Sequence, residues 1–382
     1  MSTQLVGTPA ATVLWSHTAQ VAIGDLFHLQ DDLAGRIVDS LSVPLTQRER
    51  RMLKQDVPAT PEVYERYLRA NEMSRDSQHW RAALEEVYEQ CVRDDPHYAP
   101  AWAGVGRMQR TIGKYVDEES GERFAKAEEA LRRALDLNPD LSPAENIYAH
   151  LEVDLGRAEQ SMVRLLRRAR ERTADPELFA GLAHACRYCG LLNASMAAAT
   201  HVRRLDPRSP VSAGHTCFMR GDYEGVSAFE PEGLNYMRSL SFVMLGRTED
   251  ARGALPRLDG SLPQRLTYYL KALHALLEGR RDESVVEIRR LASISDPEGR
   301  YYVARHLARL GELDAALELL ARVVPDGFFC LPALTRDPWL DPLRGRPEFG
   351  AIVRDAEARH RRAIISFLTA EGDRVLGVAH PV

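Results

Sequence analysis

With 382 residues, 45% of them hydrophobic and only 7% aromatic, the chain exceeds one ordinary globular core and fits either two or three domains or one extended array of repeats. A net charge of −5 with both signs interspersed excludes an overall field that would draw nucleic acid or an anionic membrane. Five irregularly spaced cysteines make no disulfide framework and no apolar run is long enough to span a bilayer, so the expectation is a cytoplasmic chain without a membrane span.

Residues 2–20 hold two β-prone runs, Thr3-Gln4-Leu5-Val6 and Thr12-Val13-Leu14-Trp15-Ser16, on either side of Gly7-Thr8-Pro9, which is the pattern of a hairpin. Gly24-Asp25 opens an expected helix in which Leu26, Leu29, Leu33, Ile37 and Leu41 make one stripe and Asp25 is the cap. Residues 1–45 therefore read as one small β-hairpin-plus-helix unit. A charged helix over 46–55, running to Pro58 and Pro61, makes residues 46–61 a linker helix.

From residue 62 to residue 325 the chain repeats itself. The clearest unit is 176–207, where Phe179, Leu182, Ala183 and Cys186 share one helix face, Gly190 breaks the helix, and Ser195, Ala199 and Val202 mark a second. Glycines at 156, 190, 246, 279 and 311 are followed five and nine positions on by small or apolar residues, and their separations of 34, 56, 33 and 32 imply one period with a single interruption. A helix pair of that size buries too little to stand alone and must stack on copies of itself. The gap between Gly190 and Gly246 reads as a truncated repeat, with a short apolar helix over 210–219 and another helix from Pro231. Residues 111–122 are extra sequence that either lengthens two helices or forms a charged loop. The periodicity stops at Pro325, and in 326–382 Trp339, Leu340, Leu343 and Phe349 are expected to cap the last hairpin while the charged helix through Arg362 faces water.

Trp102, Val105, Gly106 and Gln109, followed by Ala127, Leu131, Ala134 and Pro139, resemble the first and second helices of a tetratricopeptide repeat. Trp15-Ser16 with the run from Asp25 through Ala34 resembles the end of the TolB-like domain of bacterial multidomain signalling proteins. The tail from Asp337 through Phe349 resembles the carboxyl-terminal end of the arrays in those same proteins. The resemblance implies an all-α tetratricopeptide-like superhelix of about eight hairpins with an amino-terminal β-hairpin and helix. It also implies a non-catalytic scaffold or sensing module for protein–protein interaction. The alternative is the regulatory fragment of a serine/threonine kinase, an adenylate cyclase or a winged-helix transcriptional regulator, with Met1 inside a longer ancestral reading frame.

Candidate chemistry is thin. Cys186-Arg-Tyr-Cys189, with His184, His201 and His215 nearby in sequence, supplies only two soft ligands, and Cys186 stands where the repeat wants a buried small residue. Gly104-Val105-Gly106 lacks the strand and the further glycine of a phosphate loop. Arg164, Arg167, Arg168, Arg170 and Arg172 could grip phosphates, yet they follow helical spacing and read better as a solvated outer face. No cofactor, metal or catalytic residue is expected. What remains is a groove face of first helices carrying Arg107, Arg110, His184, Arg187, Tyr188, Tyr269, Tyr301, Arg305 and Arg309. Arginine pairs with carboxylates through two parallel hydrogen bonds, so this face favours an extended acidic peptide, the blander alternative being arginines that only solvate the helices.

Overall fold

The computed structural model describes residues 2–7, 12–18, 56–116, 120–229, 236–256, 258 and 260–382. The helices expected over 25–41 and 46–55 lie outside the described residues. Strands β1 (Ser2–Gly7) and β2 (Thr12–Thr18) pair antiparallel, with Leu5 opposite Trp15 and an irregularity between Leu5 and Val6. From Pro61 onward all regular structure among the described residues is helical.

The chain divides into two compact units, one of residues 1–105 with 133–141 and one of residues 106–132 with 142–382. In the first, α1 (Pro61–Met73) starts on Thr60, whose side chain accepts from the Val63 amide, with Pro61 in the first turn where no amide is needed. A helical run from Ser77 follows, passes through a π-helical stretch at Ala83–Tyr88, and ends as α2 (Glu89–Asp94). Leu84, Tyr88 and Cys91 are fully buried along it. The Tyr88 hydroxyl donates to Asn71 Oδ1 at 2.6 Å, and its ring fills the space beside Gly104, where a Cβ would stand 2.3 Å from Cε1. Gly104 is thus a packing glycine.

Helices α3 (Ala99–Tyr115) and α4 (Ser120–Leu137) run to 17 and 18 residues, so the extra sequence over 111–122 lengthens them. In the second unit come α5 (Ser142–Asp154), α6 (Ala158–Ala169), α7 (Pro176–Tyr188), α8 (Leu192–Leu205) and α9 (Ala213–Arg220). They are followed by α10 (Tyr236–Met244), α11 (Thr248–Ala254), α12 (Gln264–Leu277), α13 (Arg281–Arg289), α14 (Pro297–Arg309) and α15 (Leu313–Val323). The chain ends with α16 (Leu331–Arg336), α17 (Pro347–Thr369) and α18 (Gly372–Leu376).

One joint recurs. Gly156, Gly190, Gly246, Gly279 and Gly311 all have φ between +73° and +83°, the left-handed conformation that ends a helix at least cost to glycine. The next amide then reaches back to a carbonyl of the helix just ended, as in Leu191 to Cys186 and Arg280 to Ala275, both at 2.9 Å. The two helices cross at a second fixed point, seven residues before the glycine and five after it. Ser161, Ser195 and Ser284 each donate from Oγ to the carbonyl of Ala149, Ala183 and Ala272 respectively, at 3.5, 2.6 and 2.7 Å. At Gly246 the two residue types are exchanged, and Ser239 Oγ donates to Ala251 O at 2.7 Å. At Gly311 both are buried alanines, Ala304 and Ala316. Small side chains let the backbones approach, and one hydroxyl satisfies an otherwise buried oxygen.

The interrupted stretch carries the same joint at Gly221, with φ +80° and the Asp222 amide bonded to Cys217 O. Only a short 3₁₀ turn, Gly225–Ala228, follows it. Spacing alone hid this unit, because its second half is cut short. Asp175 and Asp296 cap the starts of α7 and α14, accepting from the Leu178 and Gly299 amides at 3.2 and 3.1 Å. Trp339, Leu340, Leu343 and Phe349 are buried in the same continuous core as α5 to α15. Helix α17 differs from the expected water-facing helix: Phe349, Ala356, His360, Ala363 and Phe367 form a buried stripe, and His360 Nδ1 lies 2.7 Å from Cys189 O.

Candidate functional site

Lysine and arginine side chains are long enough to cross between helices, and in the second unit they meet carboxylates of the same chain. Arg110 and Lys114, one turn apart on α3, both reach Asp154 at the end of α5, at 2.6 and 2.8 Å. Lys114 also lies 3.1 Å from Asp296, whose other oxygen accepts from the Tyr188 hydroxyl at 2.7 Å. Arg187 holds Glu298 through two parallel bonds of 2.9 Å, the fork geometry that makes guanidinium–carboxylate pairs strong. Its third nitrogen donates to Ser212 O and Oγ, both at 2.9 Å. Arg305 pairs with Asp337 on both oxygens, and Tyr301 donates to the same carboxylate at 2.7 Å. Its guanidinium lies 4.0 Å from the Trp339 ring centroid.

Histidines sit within this network in their neutral form. Arg187 Nη2 lies 2.8 Å from His184 Nδ1, and because arginine can only donate, Nδ1 accepts and Nε2 carries the proton. That Nε2 is buried with no partner among the described residues. The His150 ring lies 4.1 Å from the His184 ring, and burial, followed by the neighbouring cations, pushes both imidazoles well below their ordinary range. Burial alone would raise Glu298, yet Arg187 and His215 together override it and hold its carboxyl well below the usual carboxylate range.

The nine residues expected on a groove face therefore part company. His184, Arg187, Tyr188, Tyr301 and Arg305 are at most 4% exposed. Arg110 is bonded to Asp154, and the Tyr269 hydroxyl donates to Gly299 O at 2.7 Å. Where the sequence reading put a partner's carboxylates, the structure puts Asp154, Asp296, Glu298 and Asp337. Only Arg309 is exposed, and Arg107 is half-buried. Helical spacing marks the face of a helix, but it does not say whether that face meets water or another part of the chain. Arg187 and Glu298 are 111 positions apart, so no local pattern joins them.

A second arrangement faces solvent. Between α6 and α17 lies an open cleft of about 730 Å³ lined by Glu159, Val163, Arg164, Arg167, Arg168 and Arg362. The arginine run that read as a solvated outer face is thus partly walled in by the last long helix.

No protein-family model matches the chain, and no curated protein matches it. What the two arrangements can do must be read from their chemistry. Cys186 and Cys189 are free and fully buried, and burial pushes the Cys186 thiol up to about 12. His201 is engaged with Thr173 O, and His215 with Tyr302. Among the described residues no group of three or more His, Cys, Asp or Glu side chains is placed to hold a metal ion. No helix among them is long and apolar enough to cross a membrane.

Proposed function

We propose that the chain is a non-catalytic interaction scaffold in the cytoplasm, a tetratricopeptide-like solenoid that binds a protein or peptide partner. The observation that carries this reading is the recurring joint, the same glycine conformation and the same small-residue crossing at five positions in the second unit. Units built to one plan and too small to fold alone stabilise one another by stacking, and such arrays work through extended surface. The inward charge network supports a structural role for the first-helix arginines, since their carboxylates are supplied internally. Docking then falls to arginines that still reach solvent.

The test is selection from a random peptide display library on the whole chain, followed by calorimetry with the enriched peptides. A related set of sequences binding one per chain is the expected result. A library that yields no enriched peptide would sink the scaffold reading.

A regulatory portion of a kinase, cyclase or winged-helix regulator is the second reading, favoured by the resemblance at Trp15-Ser16, at Asp25 through Ala34 and at Asp337 through Phe349. Genomic sequence upstream of Met1 decides it. An open frame continuing into a catalytic or DNA-reading module supports it, and a stop codon with a ribosome-binding site immediately upstream removes it.

A further inference from the structure

We propose that the cleft between α6 and α17 is a docking site for an acidic segment of a partner protein, one that presents carboxylates beside an apolar side chain. The proposal rests on the scaffold reading and adds a place and a chemistry to it. Arg164, Arg167 and Arg168 recur at three- and four-residue spacing, which sets them on one face of α6. Arg362 approaches the same space from α17.

Donor accounting gives the cleft its preference. Each guanidinium carries five N–H donors and no acceptor. Arg164 bonds to Glu145 and to Glu152, and its Nε is buried with no acceptor among the described residues. Arg168 lies 3.0 Å from Glu145, and Arg362 Nε lies 3.1 Å from Glu159. Arg167, exposed on the cleft wall, has no ion pair or hydrogen bond among the described residues. Four guanidiniums thus meet three carboxylates, leaving one positive charge and many donors without protein acceptors. Glu159 cannot relieve Arg167, because both its oxygens are held from α17, one by Arg362 and the other by the Ser366 hydroxyl at 2.7 Å. Those two bonds also fix the far wall, so little ordering is required when a ligand enters.

Shape and apolar surface decide between a small anion and a peptide. A volume of about 730 Å³ holds several side chains. Val163 lines the floor, and Ile365 and Leu368, three and six residues beyond Arg362 on α17, are 65% and 45% exposed. A phosphate would engage the guanidiniums and leave that apolar surface wet. A segment with carboxylates next to an aliphatic or aromatic residue engages both, and arginine pairs with its carboxylates through two bonds each.

The experiment uses the peptides enriched on the whole chain, synthesised with a fluorescent label and titrated by anisotropy. They are expected to carry Asp or Glu next to an apolar residue and to bind less tightly as salt is raised. Arg167→Glu, which breaks no bond in the chain, is expected to weaken them about tenfold or more, and Arg167→Glu with Arg362→Glu to abolish binding. Thermal melts matching the parent exclude misfolding as the cause. Enriched peptides without carboxylates, or equal binding by Arg167→Glu, would overturn the assignment. Loss of binding in Arg107→Glu with Arg309→Glu, and not in the cleft variants, would also overturn it while leaving the scaffold reading intact. Full displacement of the peptide by equimolar inorganic phosphate would make the cleft an anion site and equally refute peptide docking. If no peptide is enriched at all, both readings fall together.

Discussion

At Arg187 all three guanidinium nitrogens are spent inside the chain, on Glu298, Ser212 and His184, and the residue is only 1% exposed. Removing one partner of such a pair leaves the other charge buried without compensation, which costs far more than the intact pair contributes. Arg187→Met is therefore expected to lower stability by about 3–5 kcal/mol, and adding Glu298→Leu to recover most of that loss. Urea denaturation at neutral pH measures both, and a single variant as stable as the parent would contradict the buried pairing. The cysteines make a parallel case. All five are free and buried, and desolvation pushes Cys91 and Cys217 up to about 11 and Cys330 up to about 12. Thiolate, not thiol, is the reactive form. Ellman's reagent is expected to leave the native chain essentially untouched at pH 8 and to modify five thiols in urea; rapid native labelling would contradict their burial.

The hairpin joint ranks its own glycines. At Gly246, with φ +73° and no heavy atom within 4 Å of an added Cβ, alanine meets only the left-handed backbone cost of about 1 kcal/mol. At Gly190 the same Cβ would stand 2.8 Å from His360 Nδ1 and 3.1 Å from the Leu331 amide nitrogen, so overpacking adds roughly 1–3 kcal/mol. Thermal melts should place Gly190→Ala well below Gly246→Ala; equal melting temperatures would mean that α17 does not press on this joint. The same comparison shows how much of each element is legible in sequence. Gly190 and Gly246 announce themselves, because a helix stop requiring φ > 0 selects glycine and the partner residues keep fixed offsets from it. Gly221 does not, since the unit after it is too short to show those offsets. The π-helical stretch at Ala83–Tyr88 leaves no sequence signal at all, because the apolar spacing of Leu84, Tyr88 and Cys91 is equally that of an α-helix.

Across the molecule, the pattern of apolar spacing specifies which faces are buried in hairpins, but the second unit also buries faces that carry charge. Arg187, Arg305 and Lys114 look solvent-directed on a helical wheel and are held instead by acids tens of residues away. The histidines drawn in with them have a consequence for acid stability. Ser284 donates its hydroxyl proton to Ala272 O, so His306 Nε2–H donates to Ser284 Oγ at 2.8 Å and the buried Nδ1 has no partner among the described residues. Desolvation, with Arg305 adding to it, pushes His306 down to about 3. His150 and His184 are lowered likewise. Above an unfolded value of about 6.5 these imidazoles are neutral in both states and contribute no pH dependence. Below it the unfolded chain takes up protons that the native chain refuses, so stability falls as pH drops through 6.5, for His306 continuing down to about 3. Each such histidine contributes a slope of about 1.4 kcal/mol per pH unit, and the three together about 4. Glu298 and Asp337, held low because their arginines override burial, add their own loss only as pH falls below the ordinary carboxylate range. His306→Gln, which keeps a donor for Ser284 without an ionisable ring, is expected to reduce the slope between pH 6 and pH 5 by about 1.4 kcal/mol per unit while leaving the lower carboxylate limb in place. Urea midpoints collected at half-unit steps measure it, and an unchanged slope would show that His306 takes up its proton in the native state after all.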